Sequence, residues 1–264
     1  MKKVSIALAT YNEEANIRMC LDSVKDWADE IVIADGTSND NTARIAEEEY
    51  GARVLKVPNQ ANFHINKQKA IDACTGIWIL QLDADEVVSA PLKKDIEKIL
   101  DEKPKKSKNK KINYNGYWIP RRNWFLGRFL MKGGQYPDYT LRLYRNGKGR
   151  LPQKDVHEQA MVEGEVGYLS GALLHYPYKD FIFYIKKWNR YNVFAAGLLK
   201  EELKHASVRK KASEFLLNLF VRPIWWFIWT YGRHKGFMDG WQGFVFSFFS
   251  AIRYPVSYII YFAK

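Results

Sequence analysis

Two aspartates one residue apart, Asp83 and Asp85, follow the apolar run at residues 77–82. If that run is a buried strand, the acids stand at its carboxyl end, the edge where open α/β sheets bind ligands. Carboxylates so placed can hold Mg2+ or Mn2+, hard cations that take oxygen ligands and bridge phosphates. Taken alone, Asp-x-Asp is equally an ordinary polar turn. Asp35 closes a second apolar run, residues 30–34, just before Gly36. An acid there can accept hydrogen bonds from a ribose or a base N–H. Thr10 and Tyr11 close a third run, residues 4–9, and a phenol ring can stack on a base. Three strand ends thus deliver Thr10-Tyr11, Asp35 and Asp83/Asp85 to one rim, and that convergence says more than any one of them.

The elements that must position these residues alternate in type. Residues 4–9, 30–34, 52–57 and 77–82 read as strands. Between them the pattern predicts a helix starting at Asn12 that turns Ile17, Leu21 and Val24 inward, a helix over residues 42–50 and a helix over 66–74. Asp40 or Asn41 suits the cap of the second. Strands and helices at these spacings mean right-handed crossovers and a mainly parallel sheet with helices on both faces. Further on, residues 90–100 and 181–203 read as helices, and residues 116–119 and 140–144 as antiparallel strands. Arg142 and Arg145, three apart on the last strand, face opposite sides, so at most one enters a cleft. With Arg121 and Arg122 they are candidates to meet phosphates on an acceptor, since guanidinium pairs with phosphate through two parallel bonds. The basic run at residues 103–111 reads as a solvated loop.

The chain has 264 residues and a net charge of +12, with Lys+Arg 41 against Asp+Glu 29. That balance points to an anionic partner: a phosphorylated small molecule, nucleic acid or an anionic membrane face. No helix-turn-helix, zinc or RNA-recognition pattern accompanies it, which speaks against nucleic acid. Cys20 and Cys74 are too few for a disulfide framework. Residues 4–9 are too short for the apolar core of a signal peptide, so a cytoplasmic location is expected. From Phe215 onward, 17 of the chain's 40 aromatic residues fall within 50 positions, and five of the six charges there are basic. No uncharged apolar run reaches the roughly 18 residues of a spanning helix. Trp and Tyr among scattered basic residues suit the headgroup boundary of a membrane; a helical lid or a dimer interface is the alternative. The expected division is a catalytic domain over residues 1–205 and a helical, membrane-associating segment over 206–264.

Ala9-Thr10-Tyr11-Asn12-Glu13-Glu14, Ala34-Asp35-Gly36-Thr37-Ser38-Asn39-Asp40 and Leu82-Asp83-Ala84-Asp85-Glu86 resemble the signature blocks of family 2 glycosyltransferases with the GT-A fold. Gly133-Gly134-Gln135-Tyr136-Pro137-Asp138-Tyr139, Leu141-Arg142-Leu143-Tyr144-Arg145 and Val156-His157-Glu158 are similar to blocks of the bacterial lipopolysaccharide core β-glucosyltransferases. The resemblance covers about residues 4–190. It implies an α/β GT-A fold, Rossmann-like, followed here by the aromatic-rich helical C-terminal segment. It also implies a nucleotide-sugar donor, Mg2+ or Mn2+, and inversion at the anomeric carbon.

Carried over residue by residue, the resemblance gives Thr10, Tyr11 and Asp35 to the nucleoside. Asp85 becomes a metal ligand, and Asp83 a ligand or a ribose or phosphate contact. Lys67, where many relatives carry Arg, approaches the nucleotide. The base that takes the acceptor proton falls at Glu158, with His157 as its neighbour or an acceptor contact, where the family more often has a Glu-Asp pair. Asp138 is the rival base and, with Arg142, an acceptor contact. His175 either completes the metal shell, touches phosphate or is structural. The expected reaction moves a hexose, glucose from UDP-glucose, onto a lipid-linked glycan such as the lipopolysaccharide inner core. The place would be the cytoplasmic face of the inner membrane. Transfer to a polyprenyl phosphate or a peptide is one alternative. A nucleotide-binding protein without catalysis is another, and the intact Asp83/Asp85 pair argues against it.

Overall fold

The computed structural model describes residues 2–101, 113–152 and 159–263. The chain divides into two compact units, Met1–Arg121 with Asp138–His175, and Arg122–Pro137 with Tyr176–Lys264. Residues 205 and 206, which flank the expected domain boundary, both lie in the second unit.

The first unit opens with β1 (Val4–Thr10), α1 (Ile17–Asp22), β2 (Glu30–Asp35), α2 (Thr42–Tyr50), β3 (Arg53–Lys56), α3 (Phe63–Ala73) and β4 (Trp78–Gln81). β5 (Glu86–Val88), α4 (Ala90–Asp101) and β6 (Gly116–Phe125) follow, and the division between units falls within β6. After β7 (Arg128–Leu130) the unit resumes with β8 (Asp138–Arg145), β9 (Gly149–Arg150), β10 (Met161–Val162), β11 (Val166–Tyr168) and β12 (Leu173–His175). The sheet runs β3-β2-β1-β4-β8-β6-β12-β5. β1 pairs in parallel with β2 and β4, and β2 with β3, while β8 is antiparallel to both β4 and β6. The expected mainly parallel sheet is therefore present in the first hundred residues, with the antiparallel strands added beyond it.

Burial explains why these runs became strands. Ile6, Leu8, Ile33, Leu80 and Leu82 share one core with Ile17, Leu21 and Ile45 of α1 and α2. Ala7, Val32, Ala34 and Ile79 point the other way, against Ala70 and Ile71 of α3. Runs without polar alternation are the mark of strands covered on both faces. The helix predicted from Asn12 begins later, at Ile17. Asn12 takes a left-handed conformation, φ 57°, and the chain turns before the helix; Asn tolerates that region better than most residues. The N-cap of α2 is Asn41, which makes no side-chain capping bond; Asp40, one residue earlier, accepts the Thr42 N–H on Oδ1 at 3.0 Å.

In the second unit the end of β6 pairs antiparallel with β7, Trp124 opposite Phe129. α5 (Phe181–Leu203) is capped by Asp180, whose Oδ1 accepts from the Phe183 N–H at 2.7 Å. α6 (Val208–Leu216) and α7 (Arg222–Phe227) alternate with π-helical turns at Leu217–Val221 and Ile228–Arg233. α8 (Gly240–Ala263) ends the described chain. Its core is aromatic: Phe125, Leu130 and Tyr184 are buried against Trp188, Phe246 and Phe249. Asp239 is buried and accepts from the backbone N–H groups of Met131 and Lys132 at 3.0 and 2.7 Å.

The apolar runs on either side of Arg253 read as separate pieces, yet the structure joins them in α8, with Pro255 inside the helix. Gly236–Ala263 is consequently one helical stretch of 28 residues, containing an 18-residue window of mean hydropathy 1.3, long and apolar enough to cross a membrane by length and composition alone. A lone Arg does not end such a helix, because its long stem can carry the charge outward.

Candidate active site

The carboxyl ends of β2, β1 and β4 lie side by side. Thr10 pairs with Asp35 in the β1–β2 register, and Leu82 N–H bonds the Ala7 carbonyl at 3.0 Å. Thr10 Oγ1 donates to Asp35 Oδ1 at 3.0 Å, and Ser38 donates its hydroxyl to Oδ1 and its N–H to Oδ2, at 2.6 and 2.8 Å. These bonds fix the Asp35 carboxylate and leave Oδ2 with capacity for a further donor. Gly36 follows because a Cβ there would stand 3.3 Å from the Thr10 carbonyl oxygen. Tyr11, at the end of β1, is exposed.

The loops that carry these residues are tied to each other. Asn12 N–H donates to Ser38 Oγ and Asn39 N–H to Asn12 Oδ1, at 2.9 and 2.8 Å. The Glu14 carboxylate accepts from the N–H and the side-chain amide of Asn41, at 3.0 and 2.9 Å. Those bonds hold its pKa below the ordinary carboxylate value. Much of the first two sequence blocks therefore serves to lock one loop against the other.

Behind the third strand end lies a buried ion cluster. Asp83 Oδ1 is paired with Lys67 Nζ of α3, and Asp83 Oδ2 accepts from Arg142 of β8 at 2.6 Å. Arg142 also reaches Glu86 at 3.2 Å, and Glu86, with no exposed surface, accepts the Asp83 N–H at 3.0 Å. Arg121 spans Glu86 at 3.4 Å and Asp138 at 2.7 Å; the latter contact follows from the cross-strand pairing of Arg121 with Asp138. Burial opposes ionisation of Asp83, but attraction to Arg142 and then Lys67 outweighs it and holds the carboxyl well below its usual range. Burial pushes Lys67 below the ordinary lysine value despite Asp83. Arg142 loses to burial and gains more from Asp83 and Glu86, so its pKa is raised.

Asp85 stands outside this cluster. β12 pairs antiparallel with β5, His175 opposite Glu86, and this register brings His175 Nε2 within 3.4 Å of Asp85 Oδ2. Among the described residues no three His, Cys, Asp or Glu side chains gather into a metal cage. The donors present fit a cation that arrives with its phosphates: Asp85 and His175 offer one oxygen and one nitrogen, and Mg2+-type ions complete their shell from substrate oxygens and water. Both oxygens of Asp83 already face cations, which fits it to orient its neighbours rather than to bind metal directly.

A cavity of about 300 Å3 opens beside the cluster, lined by Lys67, Asp83, Arg121 and Arg142 together with Phe63 and Gln159. Three cations and one carboxylate line it, with Glu86 and Asp138 balancing the charge behind them, so an anionic ligand would share cations that are already paired.

Residues 5–158, more than half of the chain, match the glycosyl transferase family 2. The chain is a family 2 glycosyltransferase. It is 29% identical over 264 residues to the lipopolysaccharide core biosynthesis glycosyltransferase LpsC of Rhizobium meliloti, covering 95% of this chain and 91% of that one. An uncharacterised glycosyltransferase of Rickettsia typhi is 28% identical over 254 residues, covering 93% and 82%. Among solved structures, S. aureus TarS residues 1–349 with UDP aligns over 99% of this chain and 90% of that one at 14% identity and a TM-score of 0.49. Another S. aureus TarS chain aligns over 89% of this chain but 45% of its own length, with a TM-score of 0.49.

In this family 2 glycosyltransferase the sheet and crossovers are those expected of a GT-A domain. The structure brings together Lys67, Asp83, Arg142 and Asp138, and pairs Asp85 with His175 and Thr10 with Asp35. Arg145 turns to the opposite face, its guanidinium 4.7 Å from the Trp78 ring, as the strand spacing requires. Arg122 belongs to the second unit and stacks on Tyr136 at 5.5 Å. His157 and Glu158 lie outside the described residues. Sequence reasoning missed Glu86. Its one signal was its place three residues after Asp83, and a carboxylate in an acidic turn gives no sign that it will be buried.

Proposed function

We propose that this chain is a metal-dependent, inverting hexosyltransferase that uses a UDP-sugar, glucose being the expected sugar, and a phosphorylated lipid-linked glycan such as the lipopolysaccharide inner core. The observation that carries the reading is the meeting of the β1, β2 and β4 carboxyl ends, which bring Thr10 to Asp35 and place Asp83 in a cation-lined cavity. Asp35 takes a ribose or base donor on Oδ2, beside the Ser38 N–H that it already accepts, with the Tyr11 ring beside the base. Lys67, Arg121 and Arg142 meet phosphate charge. Asp85 and His175 hold Mg2+ or Mn2+, which when bound neutralises charge on the leaving diphosphate. The acceptor hydroxyl oxygen bonds the anomeric carbon as the bond from that carbon to the diphosphate breaks, and its proton passes to Glu158. Asp138 is engaged by Arg121, which leaves Glu158 the better base. LpsC, whose name states lipopolysaccharide core biosynthesis, supports the acceptor class.

The second unit supports peripheral attachment to the cytoplasmic face of the inner membrane. Trp225, Trp229, Trp241 and Phe248 are exposed, and aromatic side chains near basic ones favour the headgroup boundary. Transfer assays with UDP-, GDP- and ADP-hexoses and a truncated phosphorylated glycolipid test the proposal. A UDP-hexose with Mg2+ or Mn2+ should be consumed. Glu158→Gln should slow transfer by about 100-fold or more, the scale of a lost general base, while UDP binding persists. Unchanged turnover would move the base to Asp138 or His157.

A further inference from the structure

A second cavity, of about 330 Å3, lies wholly within the second unit between α5 and α8. On α8 its lining residues Phe246, Ser250, Arg253 and Ser257 fall at helical spacing on one face. On α5, Trp188, Tyr191, Phe194 and Leu198 make an apolar strip whose last three members are exposed, so the hollow runs out to the surface.

Its polar groups are few and of one kind. Asn192 is 3% exposed; its Oδ1 accepts from Ser257 Oγ at 3.3 Å, and its Nδ2, buried, has no acceptor among the described residues. Buried amide donors are normally bonded, because an unmade bond leaves the full desolvation cost. The charged lining residues are Lys187 and Arg253, both cationic. Each lies over a ring, Lys187 at 5.3 Å from Tyr178 and Arg253 at 5.1 Å from Tyr254. Neither is in an ion pair among the described residues, and no carboxylate lines the hollow. An unmet donor, two unpaired cations and an aromatic trough together describe an amphiphile: one anionic, acceptor-rich head and one apolar tail.

We propose that this groove binds a single phosphorylated lipid molecule. Its phosphate sits between Lys187 and Arg253 and accepts from Asn192 Nδ2, and its chain follows Tyr191, Phe194 and Leu198. A free phosphate would leave the aromatic strip without an occupant, and an uncharged amphiphile would leave both cations and the amide unmet. The site is separate from the donor site of the first unit, and it calls for one saturable lipid per chain without any bilayer.

Calorimetry and thermal melting of the full chain test this with dihexanoyl phosphatidylglycerol below its micelle concentration. Inorganic phosphate and monomeric octyl glucoside are the comparison ligands. The phosphatidylglycerol should bind one to one and raise Tm, and neither comparison ligand should do so. The double variant Lys187→Glu/Arg253→Glu should weaken binding by about tenfold or more, the scale of a lost charge-assisted bond. Asn192→Leu, which keeps the shape, should weaken it as well. Both variants should keep the wild-type far-UV circular dichroism and a cooperative melt, which shows that the second unit folds, and should still bind UDP in the first unit, which separates this outcome from the donor reading. Equal shifts with phosphate alone would mean a bare anion site. Equal shifts with octyl glucoside, or undiminished binding by the double variant, would mean generic amphiphile adsorption. Each of these results overturns the proposal.

Discussion

Asp83 and Asp85 look alike in the sequence and differ in the fold. Asp83 is clamped between Lys67 and Arg142, while Asp85 has His175 beside it. Removing one partner of a buried ion pair strands the other charge, at about 3–5 kcal/mol. Asp83→Ala should therefore lower the unfolding free energy in urea by roughly that amount, because it strands Lys67 and leaves Arg142 with Glu86 alone. Asp85→Ala should change stability by about 0.5 kcal/mol or less, as part-exposed polar changes do, and should still abolish transfer. Equal destabilisation by the two would refute this division of labour. The strand-end position of both acids was legible from the apolar run before them. Their separation was not, since the partners of Asp83 come from α3 and from a strand 59 residues further on.

At the scale of elements, strand β2 is anchored at its start by Glu30. Its carboxylate accepts from Ser5 Oγ at 2.6 Å, Thr75 N–H at 2.8 Å and Lys2 Nζ at 3.0 Å. Burial opposes its charge, but these bonds prevail and bring its pKa from 4.5 to about 2. A depressed carboxylate pKa stabilises the fold above the unfolded value and loses that stability as pH falls through the folded one. Stability should thus decline between pH 4.5 and about 2 by up to roughly 3 kcal/mol from this group, and Glu30→Gln should flatten that part of the acid-denaturation curve. Gly171 marks another junction: a Cβ there would lie 2.3 Å from the Leu92 backbone in α4. Gly171→Ala should cost about 1–3 kcal/mol in thermal or urea unfolding, as overpacking does.

Helix α2 could be read from the sequence because Asn41 stands at its N-cap and Asp40 beside it accepts the Thr42 N–H, whereas the Asp180 cap of α5 emerges only in the structure. The first helix was misplaced because Asn12, Glu13 and Glu14 look like a helix start, whereas Asn12 and Glu14 bond the neighbouring loop. The continuity of α8 was hidden by Arg253 and Pro255, which break the apolar pattern without breaking the helix.

At the scale of the whole molecule, the proposed membrane attachment would draw on both the charge of +12 and the exposed aromatic side chains of the second unit. Attraction between basic groups and anionic lipid is screened over about 10 Å at 0.1 M salt, whereas aromatic insertion is not. Sedimentation with phosphatidylglycerol vesicles should therefore fall as NaCl rises. Trp225→Ala/Trp229→Ala should reduce the fraction that remains bound at high salt. Binding unaffected by either change would remove the membrane from the account.

The central claim is that the carboxyl ends of β1, β2 and β4 form a cation-dependent site for a nucleoside diphosphate. Titration calorimetry of UDP into the full chain, with Mn2+ and then with chelator, tests it most directly. Wild-type protein should bind UDP with Mn2+ and lose about tenfold or more in affinity on chelation, and Asp85→Ala should bind equally weakly in both conditions. UDP affinity that is the same with and without Mn2+, and unchanged in Asp85→Ala, would contradict it.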